Sequence, residues 1–358
     1  MRYSFRFLCL WALCFVPIIG CGDTNVTVYC GTGGSHGTGG SSDYHVGPLF
    51  PCSEEGIRDA IAQGGGPYAF ACNGPTTVVT DAEIVIDNDV VLDGRGNLTV
   101  DGDRAHRVFS VIENVTVTLR GFAVTGGVTS EAGGGILNQG TLTVERSSVF
   151  GNVAGGNGGG IDNHGTLTLT NSTVSDNLAA SNGGGINNRR DGGVTTLINS
   201  TVSGNTGEYY GGGINNVGTL TLTSSTVSGN TASIFGNIYN GDTATLTNTV
   251  IDGDCWGDIT SNGYNIESPG DTCGFDQTGD LVNITEGQLD LGELANNGGP
   301  TMTHAVGAES VAIDHIPAVD CVDADDAPLT TDQRGEPRPE TGGDACDVGS
   351  FERQPEDP

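Results

Sequence analysis

The sequence predicts an all-β parallel β-solenoid, and three observations support this prediction. Isoleucines that follow glycine-rich segments recur at steps of 25, 25, 28 and 24 residues: Ile136, Ile161, Ile186, Ile214 and Ile238. The intervening runs, such as "TLTLTNSTV", alternate apolar and polar residues, which is typical of strands with one buried face. No helical pattern interrupts this period, so equivalent strands of successive repeats are expected to stack in parallel, about 4.8 Å apart.

Asparagines recur with the same steps, two residues after the aligned isoleucines. They are Asn138, Asn163, Asn188, Asn216 and Asn240. A second series follows the other strand and ends in Asp254; its asparagines are Asn152, Asn177, Asn205 and Asn230. Asparagine tolerates the left-handed conformation of a tight corner, and stacked amides can hydrogen-bond from coil to coil. The "GGGINN" segments are therefore interpreted as structural corners, because a phosphate-binding loop requires a lysine and a following helix.

Both ends of a solenoid need protection, because exposed sheet edges promote aggregation. The segment 51–75 predicts an N-terminal cap with a short helix: Ser53 is a suitable N-cap, and Ile57, Ala60 and Ile61 fall on one helix face. The strand pattern continues from 76 to 275, which at this period corresponds to about seven or eight coils.

The first 21 residues predict an export signal, with a basic start and an apolar stretch too short to span a bilayer. The tetrad Ile18-Ile19-Gly20-Cys21 resembles the bacterial lipobox, which implies cleavage before Cys21 and lipid attachment to its thiol. An ordinary secretory signal with an incidental cysteine is the alternative. Residues 22–50 would then be a flexible polar tether, and acyl chains would hold an exported protein at a membrane, at the cell surface or outer membrane.

Cysteine usage agrees with export. Six cysteines fall into three local pairs and predict disulfide staples, although sequence alone does not fix their connectivity: Cys52, Cys72, Cys255, Cys273, Cys321 and Cys346. Cys30 is left over. None of these cysteines has the C-x-x-C spacing of a zinc site.

The charge balance restricts the partners. The chain has 44 acidic residues, 13 arginines and no lysine, for a net charge of −31. Nucleic acids and anionic membrane surfaces are bound through Lys and Arg, so both are excluded as expected partners. Contact with a membrane is expected only through the lipid anchor.

Several segments resemble a known superfamily. "CSEEGIRDAIAQGG", "VVLDGRG", "VTLRGFAVTGG" and the repeats resemble bacterial exported right-handed β-helix proteins of the pectate-lyase-like superfamily. The tail, with "LGELANNGGPTMTHAVGAESVAID" and "DQRGEPRPETGGDACDVGSFE", is similar to the choice-of-anchor Q domain. The resemblance covers about residues 50–353. It implies a right-handed parallel β-helix, a C-terminal module over 276–358 and a surface address, but it transfers no catalytic residues.

The best candidate for an active site is a set of polar residues on neighbouring coils. Asp162 and His164 lie one repeat before Arg189, Arg190 and Asp191, so they are expected on one flank. Asp162, His164 and Arg189 are therefore weak catalytic candidates, and a solvated corner that tolerates any polar residue is the simpler interpretation.

An acidic segment in the tail is a weak candidate for a metal site. "DCVDADD" offers Asp320, Asp323, Asp325 and Asp326 as oxygen ligands for Ca²⁺, although the spacing is not that of an EF-hand. A solvated acidic loop is the alternative. No cofactor is required by this interpretation. The tail arginines Arg334 and Arg338 are expected to pair with nearby carboxylates.

Two functional hypotheses follow. The first is a surface-anchored adhesive, scaffolding or glycan-contacting module without catalysis, whose partners are cell-surface glycans or other surface proteins. The second is a polysaccharide lyase or glycoside hydrolase of the same fold. The G-H-G and R-I-K motifs of polygalacturonase-like enzymes do not occur in the sequence. A polyanionic substrate would be repelled by the net charge unless a metal bridged it.

Overall fold

The structure, a computed structural model, describes residues 48–190, 192–323 and 327–357. These residues form a parallel β-solenoid of about 7 turns with few helices, which confirms the predicted fold class. They belong to one structural unit, His45–Pro358. Several predictions concern residues outside the described ranges: the signal segment 1–21 with Cys21, most of the tether 22–50 with Cys30, and Asp191, Asp325 and Asp326.

One sheet carries the aligned isoleucines and is called the isoleucine sheet here. Among the described residues it has eight parallel strands, one per coil: Ile84–Ile86, Phe109–Val111, Ile136–Asn138, Ile161–Asn163, Ile186–Asn188, Ile214–Asn216, Ile238–Asn240 and Cys255–Trp256. Ile161 pairs with Ile136 on one side and with Ile186 on the other. All three are fully buried, so the period seen in the sequence is the period of the hydrophobic core.

A larger sheet forms two columns of parallel strands. The long column contains Leu49–Phe50, Gly65–Phe70, Val90–Asp101, Thr116–Thr125, Thr141–Glu145, Thr166–Thr170, Val194–Ile198, Thr219–Thr223, Thr243–Thr247 and Ile259–Ser261. The short column contains Thr76–Val79, Ser148–Phe150, Thr173–Ser175, Thr201–Ser203, Thr226–Ser228, Val250–Asp252 and Ile266–Ser268. Val90–Asp101 and Thr116–Thr125 are long enough to pair in both columns.

The two columns correct one sequence interpretation, in which the alternating run of each repeat was a single strand. In the later coils a residue with positive φ divides the run: φ is 50° at Asn171 and 45° at Asn199. Asparagine adopts this left-handed conformation more readily than most residues, so the chain bends there. Leu169 and Val174 stay buried on either side of the bend because the bend changes which residues face the core.

The glycine triplets connect a third sheet to the isoleucine sheet. Its described strands are Val128–Thr129, Val153–Ala154, Leu178–Ala179 and Thr206–Gly207. The first glycine of the triplet at 158–160, Gly158, has a φ of 64°. A Cβ on the second glycine, Gly159, would lie 2.5 Å from the Gly184 carbonyl oxygen of the next coil. Glycine is therefore required both by the turn and by the close approach of neighbouring coils.

Two asparagine ladders run along the solenoid. In the first, each side-chain amide donates to the next at 2.7–2.9 Å: Asn138, Asn163, Asn188, Asn216 and Asn240. In the second, Asn152, Asn177, Asn205 and Asn230 are linked in the same way. The second ladder has one further member, Asn237, between Asn230 and its expected end at Asp254. Asp254 Oδ1 accepts from the backbone N–H groups of Gly236 at 2.7 Å and of Asn237 at 3.4 Å.

The N-terminal end is closed by the helix α1, Glu54–Gln63, whose N-cap Ser53 accepts a hydrogen bond from the Gly56 N–H at 3.1 Å. Its buried residues include Ile57, Ala60 and Ile61. The predicted disulfide pairs are confirmed: Cys52–Cys72, Cys255–Cys273 and Cys321–Cys346. No helix in the described ranges is long and apolar enough to cross a membrane.

The C-terminal segment folds back along the short column. It contains the helix α2, Glu286–Leu289, a short 3-10 helix, Ala318–Asp320, and two antiparallel pairs: Leu291–Ala295 with Thr303–Val306, and Ile316–Pro317 with Ala345–Cys346. The hydroxyl of Thr173 donates to the Met302 carbonyl at 2.6 Å, and that of Thr201 donates to Gln333 at 2.7 Å. The outward hydroxyls of the short column are thus buried under this segment.

Candidate functional site

One series of side chains follows the aligned isoleucines and faces away from the core, because successive residues of a strand point to opposite faces. We call this series the outer ladder. Its members pair in register from coil to coil: Ser110, Leu137, Asp162, Asn187, Asn215, Tyr239 and Trp256. The ladder is polar in its centre and aromatic at its C-terminal end, so the two parts are described separately.

The polar centre brings together the three catalytic candidates. His164 Nε2 lies 2.7 Å from Asp162 Oδ2. Arg189 donates to the same carboxylate through Nε and Nη2, both at 3.2 Å. Asn187 Nδ2 donates to Asp162 Oδ1 at 2.5 Å. The spacing of one repeat therefore correctly indicated that Asp162, His164 and Arg189 meet. Arg190 is exposed, and Asp191 lies outside the described ranges.

The carboxylate of Asp162 is saturated by these contacts. An ionised carboxylate has about four acceptor positions, and the Asp162 oxygens accept from Asn187, His164 and twice from Arg189. Asp162 is 0% exposed, whereas the side chains of His164 and Arg189 are 37% and 35% exposed. The cluster thus presents cationic and imidazole edges to solvent and keeps the carboxylate behind them.

The amides beside Asp162 extend this closed arrangement by one coil. Asn215 Nδ2 donates to Asn187 Oδ1 at 2.6 Å, and Asn187 in turn donates to Asp162. Asn187 and Asn215 are buried. Asp162, Asn187 and Asn215 are therefore hydrogen-bonded from coil to coil, as buried polar groups generally are.

The aromatic end of the outer ladder is a stack of rings. The ring centroids of Tyr239 and Trp256 lie 4.6 Å apart with an interplanar angle of 10°. Tyr210 lies 4.6 Å from Tyr239 at 40°, and Phe235 lies 6.1 Å from Trp256 at 31°. The coil spacing of about 4.8 Å is close to the stacking distance of aromatic rings, so register alone places the rings face to face. Trp256 remains 43% exposed.

Sequence reasoning missed this end of the ladder. Tyr239 follows the aligned Ile238, and its position was available from the repeat. Trp256 follows Cys255, which takes the place of an isoleucine in the isoleucine sheet and pairs with Ile238. Because the cysteine was assigned to a disulfide, the repeat was not extended to Trp256.

A cleft of about 370 Å³ lies in the first coils, lined by Glu83, Ala105, His106, Arg107, Val128, Thr129, Ser130 and Glu131. Arg107 pairs with Glu83 at 2.6 Å and also donates to the carbonyls of Ala132 and Gly133. Both ring nitrogens of His106 lie within 2.9 Å of backbone carbonyl oxygens. The ionisable groups of this cleft therefore serve to join coils.

The acidic tail segment does not assemble a metal site within the described ranges. The hydroxyl of Tyr264 donates to Asp320 at 2.9 Å, and this hydrogen bond raises the pKa of Tyr264. The backbone N–H of Ala327 donates to Asp323 at 2.9 Å. No group of three or more His, Cys, Asp or Glu residues among those described is arranged to hold a metal ion. Since Asp325 and Asp326 are not described, the Ca²⁺ site remains a prediction.

Buried charges fasten the C-terminal segment. As expected from the sequence, the tail arginines pair with carboxylates: Arg334 with Asp332 at 2.8 Å, and Arg338 with Glu352 at 3.1 Å. Burial raises the pKa of Glu352 to about 7, although Arg338 opposes the shift. Burial likewise raises the pKa of Asp347 to about 6. These groups lie beneath the protein surface, so we assign them to the attachment of the segment.

Comparison with known proteins supports the fold. In sequence, the chain matches no protein-family model and no curated protein. Among solved structures it is similar to the crystal structure of pectate lyase Pel9A, with a TM-score of 0.50 and 14% identity over 82% of this chain and 90% of that chain. The chain has the pectate-lyase-like parallel β-helix fold. At this identity the likeness concerns the fold alone, and the lipid anchor and the choice-of-anchor module remain predictions.

Proposed function

We propose that the protein is a surface-anchored β-helix that contacts glycans and acts as an adhesive or scaffolding module without catalysis. The observation that carries this proposal is that hydrogen-bond donors of the protein occupy the acceptor positions of the Asp162 carboxylate. It is the carboxylate of the outer ladder, and its oxygens are occupied by His164, Arg189 and Asn187.

Hydrolysis and elimination both need a group that can exchange a proton with the substrate. Glycoside hydrolases use two carboxyl groups that flank the scissile bond. The partners of Asp162 are an imidazole, a guanidinium and an amide, and Arg189 neutralises the negative charge that a metal ion or a cationic transition state would require. Among the described residues, Asp162 thus lacks both a second carboxyl group beside it and a free oxygen, while its contacts with Arg189 and Asn187 join two coils.

Glycan contact is supported by the composition of the outer ladder. Exposed aromatic rings such as Trp256 can pack against sugar rings, whereas the amides of the polar centre are buried and paired. The net charge of −31 favours neutral over polyanionic glycans. No resident cofactor is part of this proposal. Anchoring through Cys21 is part of it and rests on the lipobox-like tetrad before it.

A polysaccharide lyase or glycoside hydrolase is the second candidate. The observation that favours it is the convergence of Asp162, His164 and Arg189 on one outward face, on a fold shared with a pectate lyase. Opening of the cluster by a substrate would free the carboxylate. A Ca²⁺ ion bridging an anionic substrate would belong to this alternative.

The two candidates are separated by incubating the full-length protein with neutral and acidic polysaccharides, with and without Ca²⁺. We expect retention on at least one neutral polysaccharide and no release of unsaturated or reducing ends. Release of such ends that is lost in an Asp162→Asn/His164→Ala variant would contradict the proposal. Glu145→Gln is the matched control, because Glu145 joins another pair of coils through an ion pair with Arg120 at 2.9 Å.

The anchor is tested by fractionating cells that express the full-length protein. We expect Cys21→Ser to abolish acylation and to release the protein from the membrane fraction. Cys30→Ser, which changes the leftover cysteine, is expected to remain in that fraction. Unchanged membrane retention of the Cys21→Ser variant would contradict this part of the proposal.

A further inference from the structure

We infer that the outer face of the Trp256 indole is a binding site for one pyranose ring of a neutral glycan. This inference rests on the proposed glycan contact and specifies where it occurs and which class of sugar is bound.

The first argument is that the stack of aromatic rings ends with an open face. Trp256 has Tyr239 on the preceding coil as its stacked neighbour. Cys255–Trp256 is the last described strand of the isoleucine sheet, so no further described strand pairs beyond the indole. The disulfide from Cys255 to Cys273, with a Cα–Cα distance of 4.8 Å, brings the following segment close to this strand. The residue after Cys273 is Gly274, which has no side chain that could cover the indole.

The space beyond this glycine is open. A Cβ placed on Gly274 would have no atom within 4 Å apart from its immediate chain neighbours. Gly274 itself is exposed, with a φ of 70°. The second face of the indole thus borders solvent, in keeping with the 43% exposure of Trp256. A flat apolar face of this size matches the C–H face of a pyranose ring.

The second argument is the charge around the indole. Asp258 follows Trp256 by two residues, and Asp271 and Asp276 lie on the segment that contains Gly274; all three are exposed. Carboxylates accept hydrogen bonds from sugar hydroxyls and repel uronate or sulfate groups. The surroundings of Trp256 therefore select a neutral sugar.

The same carboxylates make a protein partner the weaker interpretation. The centre of a protein–protein interface is depleted of charged residues, and a stable interface covers about 800 Å² on each partner. Here the exposed indole has acidic residues on its own and the adjoining segment, and the other exposed apolar side chains described at this end are Tyr209 and Ile234. This arrangement is consistent with the binding of one sugar ring at a time, from a polysaccharide in which equivalent sugars recur.

Binding can be observed directly through Trp256. The sequence has two tryptophans, Trp11 and Trp256, so in a full-length Trp11→Phe variant all tryptophan fluorescence comes from Trp256. We expect gluco-, manno-, xylo- or galacto-hexaose to change this fluorescence in a saturable way, and hexagalacturonate to leave it unchanged. A lack of response to all four neutral oligosaccharides, or a response to hexagalacturonate alone, would overturn the inference.

Variants then separate the inference from the proposed function. In affinity electrophoresis, the gel contains a neutral polysaccharide to which the wild-type protein binds. Trp256→Ala should weaken this affinity about 30-fold, as expected when a stacking anchor is removed. Trp256→Tyr should recover most of the affinity because it restores a ring. Phe150→Ala is the control, since Phe150 is also exposed, at 36%, but lies in the short column on an earlier coil.

Each result has a distinct meaning. Wild-type affinity of the Trp256→Ala variant, with binding otherwise intact, would overturn the inference and leave the proposed function standing. Cleavage of a glycan whose binding depends on Trp256 would overturn the proposed function and support the inference. Unchanged circular dichroism and thermal unfolding of the Trp256→Ala variant are needed to attribute its loss of binding to the site.

Discussion

The polar centre and the aromatic end of the outer ladder occupy equivalent positions on one sheet, yet their side chains differ in exposure to solvent. Asp162 has coil neighbours on both sides, Leu137 and Asn187, and its carboxylate oxygens accept hydrogen bonds from side chains of its own coil and the next. Trp256 has a stacked neighbour on the preceding coil, lies on the last described strand of its sheet and is 43% exposed. In a solenoid, a side chain becomes available to a ligand where the repeat stops supplying its next neighbour.

The largest expected effect concerns the covalent support of the aromatic end. Removing the 255–273 disulfide with Cys255→Ser/Cys273→Ser should lower the free energy of unfolding by about 3 kcal/mol, as chain entropy predicts for a loop of this size. We expect faster amide hydrogen exchange over residues 255–275 and weaker glycan binding, with no change around Asp162. Cys52→Ser/Cys72→Ser, at the opposite end of the solenoid, is the matched control. If the Cys255→Ser/Cys273→Ser variant lost hydrogen-exchange protection equally around Asp162 and around Trp256, the two parts of the ladder would not be distinct.

The next effect concerns the closed centre. Asp162→Ala leaves Arg189 and His164 without their shared carboxylate and should cost about 2 kcal/mol in denaturant unfolding, reduced from the cost of a fully buried pair because both partners are part-exposed. Asp162→Asn should cost less, since asparagine stands at the equivalent positions Asn187 and Asn215. Trp256→Ala should change stability by less than about 1 kcal/mol. A larger loss in Trp256→Ala than in Asp162→Ala would reverse our assignment of structural and ligand-binding roles.

The smallest effect is a pH dependence that belongs to neither part of the ladder. Burial raises the pKa of Glu352 to about 7 from its ordinary value of 4.5, so the folded protein binds this proton more tightly than the unfolded chain does. The contribution of Glu352 to stability is therefore full below about pH 4.5 and declines as the pH rises to about 7. Glu352→Gln should flatten this decline in unfolding measured from pH 4.5 to 7.5. It should leave the response of Trp256 to glycans unchanged; a changed response would link the C-terminal segment to the site.

The periodic parts of the fold were predictable from the sequence. Ile161, Asn163 and their equivalents recur because each coil presents the same position to the same environment, and a period of about 25 reveals both the core and the ladders. The bend between the two columns was missed, although the sequence carries a sign of it. Buried Val144 and Val149 are five residues apart, an odd step that one continuous strand cannot place on one face.

The non-periodic parts could not be predicted in the same way. Thr201 binds Gln333 across 132 residues, and no recurring pattern connects these positions. For the candidate site, the Asp162 cluster followed from the spacing of one repeat. The exposure of Trp256 did not, because it depends on where the isoleucine sheet ends, and Cys255–Trp256 is its last described strand.

The most direct test of this account measures the affinity of two variants, Trp256→Ala and His164→Ala, for the neutral oligosaccharide that changes Trp256 fluorescence. Isothermal titration with full-length protein provides both dissociation constants under one condition. The account predicts a loss of about 30-fold for Trp256→Ala and a change within about twofold for His164→Ala. Loss of binding in His164→Ala with retention in Trp256→Ala would place the ligand at the Asp162 cluster and contradict the account.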